Sequence, residues 1–423
     1  MSMIQPVRGS RDFYPEDMAF RTWLHEKIRT ASESFGYQEY DGPFLERLEL
    51  YAAKSGEELV KEQAYVFEDR GGSEIALRPE LTPSLARMVA QHGKAILLPL
   101  RWWSFGPFWR YERTQKGRSR EFFQWNIDLI GVDSPAADAE VVAVGASLFE
   151  AVGLTPDLIR IKINNRRLVE NQLAELEITG PMLNKTFQVI DRKEKLSSHE
   201  WQEYASDQGL NETQISGLEK LLQQDDAWKD SEELVAFIEA AETLGARGYI
   251  EYDPTIIRGL DYYTGTVYEA RDVAGNHRAV LGGGRYDDLV SAVGGEPITA
   301  TGFALGDVVF QLVMQESGVL PELRPNPANF FVTTFDEQSV KDSMRLAAEL
   351  RAAGFRTEWY PEPVRLPRQF KYADRQDIPF TLILGPEEIQ SNTVAVKDMR
   401  TGEQVSVARD ELIAHLEGLV SSD

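Results

Sequence analysis

The densest basic stretch of the chain spans residues 110–120 and has the composition of a phosphate-binding loop. The stretch contains one acidic residue, Glu112, and five basic residues, which are Arg110, Arg113, Lys116, Arg118 and Arg120. A strand-like run precedes the stretch and another follows it, with a glycine-containing loop between them, which predicts a hairpin. A guanidinium held on a hairpin can grip a phosphate through two parallel hydrogen bonds. The alternative is an exposed hairpin whose arginines are only solvated.

Two further segments combine glycine with groups that could contact a ligand. The first reads Arg258-Gly-Leu-Asp-Tyr-Tyr263 and follows apolar residues, so we expect Arg258 at the entry to a strand. The second reads Gly282-Gly-Gly-Arg-Tyr286. Three adjacent glycines allow either a close backbone approach to a ligand or a tight turn, and alone they favour the turn.

Composition narrows the kinds of site that the chain can build. It has no cysteine, which excludes disulfides, thiolate metal sites and a cysteine nucleophile, and its five histidines lack metal-ligand spacing. We therefore predict no metal-binding side-chain cluster. The 45 basic and 68 acidic residues give a net charge of −23, so any contact with RNA must be locally basic. No signal peptide and no membrane span are recognisable, and we expect a cytoplasmic protein.

The helices and strands that must position these residues can be predicted from the spacing of apolar residues along the chain. A length of 423 residues predicts two or more domains. Apolar spacing predicts a first helix over Asp17–Ser34, and polar helical segments between Arg166 and Gly245 indicate an inserted helical module. Strand-like runs separated by turn residues predict an antiparallel sheet, and they are Arg101–Trp109, Glu121–Ile130, Leu158–Asn164, Thr264–Ala270 and Ala300–Leu305.

Three prolines in Leu320–Pro327 disfavour helix and strand and indicate a linker. We therefore predict a first domain over residues 1–325, with the insertion at 166–245, and a second over residues 326–423. Strands and helices alternate in the second domain, which predicts a small α/β fold. The predicted strands are Phe330–Phe335, Arg356–Tyr360, Phe380–Leu384 and Thr393–Asp398, and the predicted helices are Ser339–Ala353, Leu366–Asp374 and Arg409–Val420.

The order Phe-x-Arg110-x-Glu112, basic loop, Arg120-x-Phe122 resembles motif 2 of class II aminoacyl-tRNA synthetases. The Arg-Gly-Leu-Asp-Tyr-Tyr and Gly-Gly-Arg-Tyr-Asp segments resemble hallmarks of the histidine-specific members. Arg78-Pro-Glu and Gly42-Pro-Phe resemble a further family segment and motif 1, which forms a dimer interface in this class. The resemblance implies an α+β fold, with the class II antiparallel sheet flanked by helices, a helical insertion and a C-terminal α/β anticodon-binding domain.

This resemblance implies a histidine–tRNA ligase. Such an enzyme uses ATP, with Mg²⁺, to convert L-histidine to histidyl-adenylate and pyrophosphate, and then transfers histidine to the 3′ end of tRNA(His). Arg110 and Arg258 match the catalytic arginines at the α-phosphate, and Glu112, Arg118 and Phe122 match other ATP-binding positions. Positions that match the histidine pocket are Glu80, Thr82, Gln124, Asp128, Tyr262, Tyr263 and Tyr286. Arg113, Lys116 and Arg120 match the loop that meets the tRNA acceptor stem.

Two departures from the family pattern stand out. Asp128 occupies a position where glutamate is common. Motif 3 ordinarily ends Gly-x-Glu-Arg, but here Gly306 is followed by Asp-Val-Val309, so the arginine that holds the γ-phosphate is missing. Either another cation, with Arg118 and Mg²⁺ as candidates, replaces it, or the chain is a non-catalytic paralogue.

The main alternative is the histidine-binding regulatory subunit of ATP phosphoribosyltransferase, which usually lacks the C-terminal domain. A third class, a tRNA-sensing module of a kinase, is disfavoured because no kinase motif occurs.

Overall fold

A computed structural model describes residues 3–52, 62–257 and 263–420 of the protein. The chain divides into two compact units, one of residues 1–12 and 23–321, the other of residues 13–22 and 322–423. Arg258 and Tyr262, two of the residues that the sequence singles out, lie outside the described residues.

An eight-stranded sheet organises the first unit, in the order β1-β5-β6-β11-β10-β9-β7-β8. Its six inner strands are antiparallel, and the two edge strands each pair in parallel with their neighbours. The strands of this sheet are β1 Gln38–Glu39, β5 Leu100–Trp109, β6 Glu121–Ile130, β7 Ile159–Asn165, β8 Ile250–Tyr252, β9 Thr266–Asp272, β10 Leu281–Tyr286 and β11 Ala300–Gly306. A smaller sheet joins β2 Leu45–Arg47, β3 Tyr65–Glu68 and β4 Glu74–Leu77 in the order β2-β4-β3.

Helices cover the large sheet and bury its central strands. On β6, every residue from Trp125 to Ile130 is buried, so both faces of this part of the strand are covered. The ring of Trp125 meets the ring of Phe303 on β11 edge to face at 4.8 Å between centroids. The helices up to the linker are α1 Pro15–Ser34, α2 Leu48–Ala52, α3 Thr82–His92, α4 Pro135–Ala151, α5 Arg166–Glu175, α6 Pro181–Asp191, α7 Ser198–Asp207, α8 Glu212–Leu221, α9 Glu232–Thr243, α10 Leu289–Ala292 and α11 Asp307–Glu316.

Helices α5–α8 build a small core of their own around Trp201, which is fully buried with Leu173 and Leu218. The indole nitrogen of Trp201 donates to the carbonyl of Val189 at 2.8 Å, so the buried polar atom is satisfied. Helix α9 differs because it packs against α4 of the main sheet. Helices α5–α8 thus share a core of their own, whereas α9, which the predicted insertion also includes, packs with the main sheet.

The second unit is a five-stranded mixed sheet in the order β13-β12-β14-β15-β16. Its first three strands are parallel and its last two antiparallel. Its apolar core includes Phe330, Leu346 and Leu382, all fully buried. The elements are β12 Phe330–Val332, β13 Thr357–Trp359, β14 Phe380–Ile383, β15 Thr393–Asp398, β16 Gln404–Ala408, α12 Val340–Ala352, α13 Leu366–Arg375, α14 Pro386–Ser391 and α15 Leu412–Val420.

The fold class predicted from the sequence is confirmed, and most of the predicted elements are present with ends within a few residues. Two short elements of the second unit, α14 and β16, were not predicted. The strand predicted over Phe330–Phe335 ends earlier, at Val332. Among the helices that the structure describes, none combines the length and the apolar character that crossing a membrane requires.

Candidate active site

The predicted basic hairpin is formed by β5 and β6, whose last pair of partners is Trp109 and Glu121. Beyond that pair, the amide of Arg110 donates to the carbonyl of Arg120 at 2.9 Å, so the base of the loop continues the ladder. At the tip, Gln115 and Arg118 exchange backbone hydrogen bonds around Gly117, whose φ is 75°. A side chain is disfavoured at that φ, which explains the glycine.

An open cleft lies beside this hairpin, bounded by the hairpin and by the junction of β11 with α11. Its lining is rich in arginine and also contains the ring of Phe122. The lining residues are Arg110, Glu112, Gly117, Arg118, Ser119, Phe122, Arg278, Gly306, Asp307, Val308 and Val309. A concave, basic site next to an aromatic face has the character expected of a nucleotide site.

Arg110 is oriented by two contacts. Its Nε donates to the carbonyl of Pro79 at 2.9 Å, and its guanidinium carbon lies 5.3 Å from the centroid of the Phe122 ring. These contacts hold the side chain in one direction before any ligand arrives. Such preorganisation is what makes a fixed cation effective against charge that develops in a reaction.

Glu112 and Arg118 form an ion pair across the cleft wall, with Arg118 Nε 2.7 Å from Glu112 Oε2. The carboxylate side chain is 10% exposed and the guanidinium 38% exposed. Arg118 therefore already has an anionic partner, which reduces the charge that it offers to a phosphate.

Three predicted residues lie on one face of β6, because side chains alternate along a strand. Phe122, Gln124 and Asp128 occupy even-numbered positions, and Asp128 is the deepest of them along the strand. Burial raises the pKa of Asp128 to about 7, while the hydrogen bond from the Tyr286 hydroxyl, at 2.6 Å, acts in the opposite direction. The structure thus brings two of the predicted histidine-pocket residues, Asp128 and Tyr286, into direct contact.

Glycines of β10 and β11 make room for this pocket. A Cβ on Gly302 would lie 2.3 Å from Asp128 Oδ1, and a Cβ on Gly284 would lie 2.8 Å from the ring of Tyr263. Both distances are shorter than real Cβ contacts, so neither position tolerates a side chain without a shift. The glycine triplet therefore serves close approach in strand β10 and forms no turn.

The remaining predicted pocket residues that are described lie at the start of α3 and beside β10. Glu80 is buried and lies two residues before Thr82, the first residue of the helix. Tyr263 is buried in the cluster that also contains Tyr286.

Two arginines of the sequence motifs are buried supports. Arg285 donates to the carbonyls of Val132 and Ser134, to Thr299 Oγ1 and to Asp138. Arg78 is fully buried with its guanidinium between the rings of Phe44 and Phe108, at 4.6 Å from each centroid. It also donates to the Pro107 carbonyl at 2.8 Å and pairs with Asp41. These arginines therefore hold the segments that shape the site.

The bases of the hairpin loop have different surroundings. Arg113 is exposed, and Lys116 Nζ lies 2.9 Å from Glu316 Oε1 at the end of α11. The guanidinium of Arg120 stacks on the ring of Tyr111 at 3.8 Å, and its Nε donates to the carbonyl of Glu112 at 3.2 Å. Arg120 is thus more strongly held by its own loop than Lys116 and Arg113.

Sequence reasoning missed two cations near the cleft. Arg278, on the turn between β9 and β10, lines the cleft but belongs to no motif. Arg11 forms an ion pair at 2.8 Å with Asp307, whose other oxygen accepts from the Phe123 amide at 2.9 Å. Burial raises the pKa of Asp307, and Arg11 opposes that rise. No pattern along the chain relates residue 11 to residue 307.

Within residues 3–52, 62–257 and 263–420, no three side chains of histidine, aspartate or glutamate are grouped as a metal site requires. The cleft itself contains two carboxylates, Glu112 and Asp307, each already paired with an arginine. This donor set suits a hard cation that arrives with its own phosphate ligands.

Comparison with known proteins matches the two parts of the chain to two families. Residues 9–307 match the histidyl-tRNA synthetase family, and residues 329–419 match the anticodon binding domain family. The chain is 37% identical to the chloroplastic/mitochondrial histidine–tRNA ligase of Arabidopsis thaliana, over 97% of this chain and 86% of the relative. It is 36% identical to the histidine–tRNA ligase of Haloarcula marismortui, over 96% of each. A crystal structure of histidyl-tRNA synthetase from Nostoc sp. PCC 7120 superposes with a TM-score of 0.85, at 27% identity and 99% coverage of both chains.

Proposed function

Because the chain belongs to the histidyl-tRNA synthetase family, we propose that the cleft beside the β5–β6 hairpin is where it activates histidine with ATP. The protein is a histidine–tRNA ligase that uses ATP. What the geometry adds is a set of roles for individual residues. The observation that carries the proposal is the alignment of an oriented arginine, an aromatic ring and a buried carboxylate, Arg110, Phe122 and Asp128, along one strand and its hairpin.

In the activation step, a carboxylate oxygen of histidine forms a bond to the α-phosphorus while the bond to the bridging oxygen breaks. Pyrophosphate departs with that electron pair, so negative charge increases around the α-phosphate. Arg110, fixed by Pro79 and Phe122, neutralises this charge. Arg258, outside the described residues, is the second cation by its match to the family motif. Phe122 stacks on adenine, and Glu112 with Arg118 lies beside the nucleotide.

Histidine is proposed to bind at the buried end of β6. Asp128, linked to Tyr286, offers a carboxylate whose protonation changes near neutral pH. A pocket that forms hydrogen bonds with a substrate rejects analogues that lack those groups. Glu80, Thr82, Gln124, Tyr263 and, by motif, Tyr262 complete the proposed set of polar partners for the ammonium and imidazole groups.

Mg²⁺ fits this cleft as an ion carried by ATP phosphates, with Glu112 as the carboxylate near it. When bound, it would neutralise phosphate charge. The chain's own contribution is the geometry of Arg110, Arg118 and the cleft wall.

The tRNA is proposed to contact both units. Arg113, Lys116 and Arg120 supply a local basic surface for the acceptor stem in a chain of net charge −23. The second unit, which matches the anticodon binding domain family over residues 329–419, is proposed to bind the anticodon region of tRNA(His).

A homodimer is proposed through the small β2-β4-β3 sheet and the motif 1 segment before it. Large apolar side chains are exposed there, namely Phe44, Leu45, Val66 and Phe67. An apolar surface of this kind marks an interface more often than a solvated face. Sedimentation of the wild type and of Phe67→Glu tests the assignment: a dimer that becomes a monomer supports it, and two monomers contradict it.

The regulatory-subunit alternative is not favoured. That class usually lacks a C-terminal domain, whereas this chain carries one that matches the anticodon binding domain family. The two functions also differ in chemistry, because a regulatory subunit binds histidine without activating it. The predicted cytoplasmic location stays a prediction.

The test of the proposed site is histidine-dependent exchange of pyrophosphate into ATP, which needs no tRNA. We expect exchange by the wild-type protein and its loss in Arg110→Ala. Exchange that persists at the wild-type rate in Arg110→Ala would show that ATP is activated elsewhere.

A further inference from the structure

The even-numbered residues of β6 lead from the proposed ATP cleft to the proposed histidine pocket on one face of the sheet. Phe122 lines the cleft, Asp128 is buried at the other end, and Gln124 and Asn126 lie between them. The carboxylate of histidine must reach the α-phosphate near Arg110, so its imidazole extends toward Asp128. Two strand positions on one face are roughly 7 Å apart, which is close to the length of an extended histidine. An imidazole at Asp128 therefore brings the carboxylate to the level of Asn126.

Asn126 has an unpaired amide at this level. The residue is 3% exposed, and within the described parts of the chain its Nδ2 atom has no hydrogen-bond partner. Its neighbours across the two adjacent strands are Ser104 on β5 and Ala304 on β11. A buried amide without a hydrogen bond costs free energy, so it needs an explanation in a native structure. A bound carboxylate would supply the acceptor.

A second unpaired group, the hydroxyl of Tyr40, lies near Asp128. Tyr40 directly follows β1, and its amide donates to the carbonyl of Trp103 at 2.9 Å. Its ring packs against the ring of Trp102 at 5.1 Å between centroids, and Trp102 is the cross-strand partner of Asp128. Partners that lie opposite each other in an antiparallel pair share one face of the sheet. The hydroxyl oxygen of Tyr40 is buried and has no hydrogen-bond partner among the residues that the structure describes.

The electrostatics of Tyr40 agree with a position beside Asp128. Burial raises the pKa of Tyr40, the charges of Asp128 and Asp41 raise it further, and the charge of Arg78 opposes the rise. The hydroxyl is therefore protonated at neutral pH and can donate a hydrogen bond. Asp128 accepts from the Tyr286 hydroxyl through Oδ1, so its Oδ2 can accept from a ligand. A hydroxyl donor and a carboxylate acceptor thus lie at the same end of the pocket.

We propose that Tyr40 and Asn126 bind the two ends of the substrate histidine and are specificity-determining residues of the pocket. Neutral imidazole has one N–H donor and one nitrogen acceptor. Asp128 accepts from the N–H, the Tyr40 hydroxyl donates to the other nitrogen, and the Asn126 amide donates to the carboxylate. Neither Tyr40 nor Asn126 belongs to a position that the sequence motifs identified. This inference rests on the proposed histidine pocket.

The test uses two competitive inhibitors of pyrophosphate exchange, each of which lacks one end of histidine. Histidinol has the imidazole but no carboxylate, and 2-thienylalanine has the carboxylate but no imidazole nitrogen. Tyr40→Phe should raise the KM for histidine and the inhibition constant of histidinol by about tenfold, and leave 2-thienylalanine within about twofold. Asn126→Ala should weaken histidine and 2-thienylalanine and leave histidinol unchanged. The KM for ATP should stay at the wild-type value in both variants.

Tyr252→Phe is the matched control. The hydroxyl of Tyr252 is also buried without a partner in the described residues, but it lies on β8, at the opposite edge of the sheet from β1. Its removal should leave the KM for histidine unchanged. Because each tyrosine variant deletes an unpaired buried group, both should unfold at or above the wild-type temperature without ligand. Histidine should raise the unfolding temperature of Tyr40→Phe less than that of wild type and of Tyr252→Phe.

Several results would overturn the inference. A wild-type KM for histidine in Tyr40→Phe, or equal weakening of both inhibitors by that variant, would exclude a contact between Tyr40 and the imidazole. A lower unfolding temperature of Tyr40→Phe with an unchanged response to histidine would make the hydroxyl structural. Weaker histidinol binding by Asn126→Ala would exclude the carboxylate contact. Wild-type exchange in Arg110→Ala would instead show that the proposed site itself is wrong.

Discussion

The buried arginine of strand β10, Arg285, and Arg110 of the cleft differ in what their guanidinium groups bind. The side chain of Arg285 is 4% exposed, and its guanidinium donates hydrogen bonds to two carbonyls, a threonine and Asp138. Arg110 has one hydrogen bond that fixes its direction, and its guanidinium lies over the ring of Phe122. The buried group is saturated by protein partners, whereas Arg110 is positioned by its partners and keeps donors for a ligand.

Because of this difference, substitution of one arginine should lower stability and substitution of another should lower activity. Removing a saturated buried arginine leaves partners without hydrogen bonds inside the protein, so the free energy of unfolding should fall. Removing an oriented cleft arginine leaves solvent to fill its place, so the reaction rate should fall instead. The sequence motifs contain both buried supporting arginines and cleft arginines, and the sequence alone does not distinguish them.

The largest expected effect is on the stability of Arg285→Ala. Asp138 would lose its cationic partner while staying buried, and breaking such a pair costs about 3–5 kcal/mol. Thermal and urea unfolding of the variant would measure the loss.

Two variants calibrate that result. Arg345→Ala removes an exposed pair with Asp342 on α12 and should cost no more than about 0.5 kcal/mol. Asp138→Asn combined with Arg285→Ala should recover part of the loss, because no uncompensated carboxylate remains. Wild-type stability of Arg285→Ala would contradict the role of Arg285 as a support.

The next effect is on turnover in Arg110→Ala and Arg258→Ala. Removing one preorganised group that stabilises developing charge lowers kcat by about 10²–10³. We expect Arg258→Ala to lower turnover far more than it weakens ATP binding, and Arg110→Ala to unfold at the wild-type temperature. Steady-state exchange kinetics and thermal unfolding measure both. Equal losses in turnover and ATP affinity for Arg258→Ala would contradict a transition-state role.

A smaller effect concerns the pH dependence of stability through Asp128. The folded protein holds a proton on Asp128 up to about pH 7, whereas the unfolded chain releases it near pH 4. The free energy of unfolding should therefore fall as pH rises between these values, by at most about 1.4 kcal/mol per unit, and level off above pH 7.

Asp128→Asn removes this term, so urea unfolding from pH 5 to 8 should show a flatter profile than wild type. In Tyr286→Phe the loss of the hydrogen bond to the carboxylate should shift the fall to higher pH, because that bond lowers the pKa of Asp128. Parallel profiles for wild type and Asp128→Asn would show that Asp128 does not hold the proton.

The smallest effect is expected at Lys116, on the exposed tip of the hairpin loop. Its surface ion pair with Glu316 should contribute no more than about 1 kcal/mol to stability. Loss of one phosphate contact should raise the KM for tRNA several-fold in Lys116→Ala and reduce the salt dependence of aminoacylation. Pyrophosphate exchange without tRNA should stay close to wild type, and an unchanged KM for tRNA would remove Lys116 from the acceptor surface.

Local patterns sufficed for the parts of the fold with strong periodicity. The hairpin strands end at Trp109 and begin at Glu121, as the sequence predicts, because an apolar run meets a glycine-containing basic loop. Strand β16 was not predicted although Val405 and Val407 alternate with polar residues, because the alternating run is short and lies at the edge of the sheet, where Gln404–Ser406 are exposed.

The site was predictable where residues belong to one hairpin and less so where distant segments meet. The contact of Asp128 with Tyr286 joins residues 158 apart, and only the resemblance indicated it. Arg278 reaches the cleft because β9, β10 and β11 pair side by side, and that pairing has no signal near residue 278. The support roles of Arg78 and Arg285 depend on burial, which their motifs do not encode.

The ion pair between Arg11 and Asp307 has a practical consequence for anyone who prepares this protein. Removal of the first dozen residues would take away the counterion of Asp307, a buried acid at the junction of β11 and α11 that lines the cleft proposed for ATP. An affinity tag is therefore better placed at the opposite terminus. We expect a protein that lacks these residues to fold and to have a lower activity with ATP.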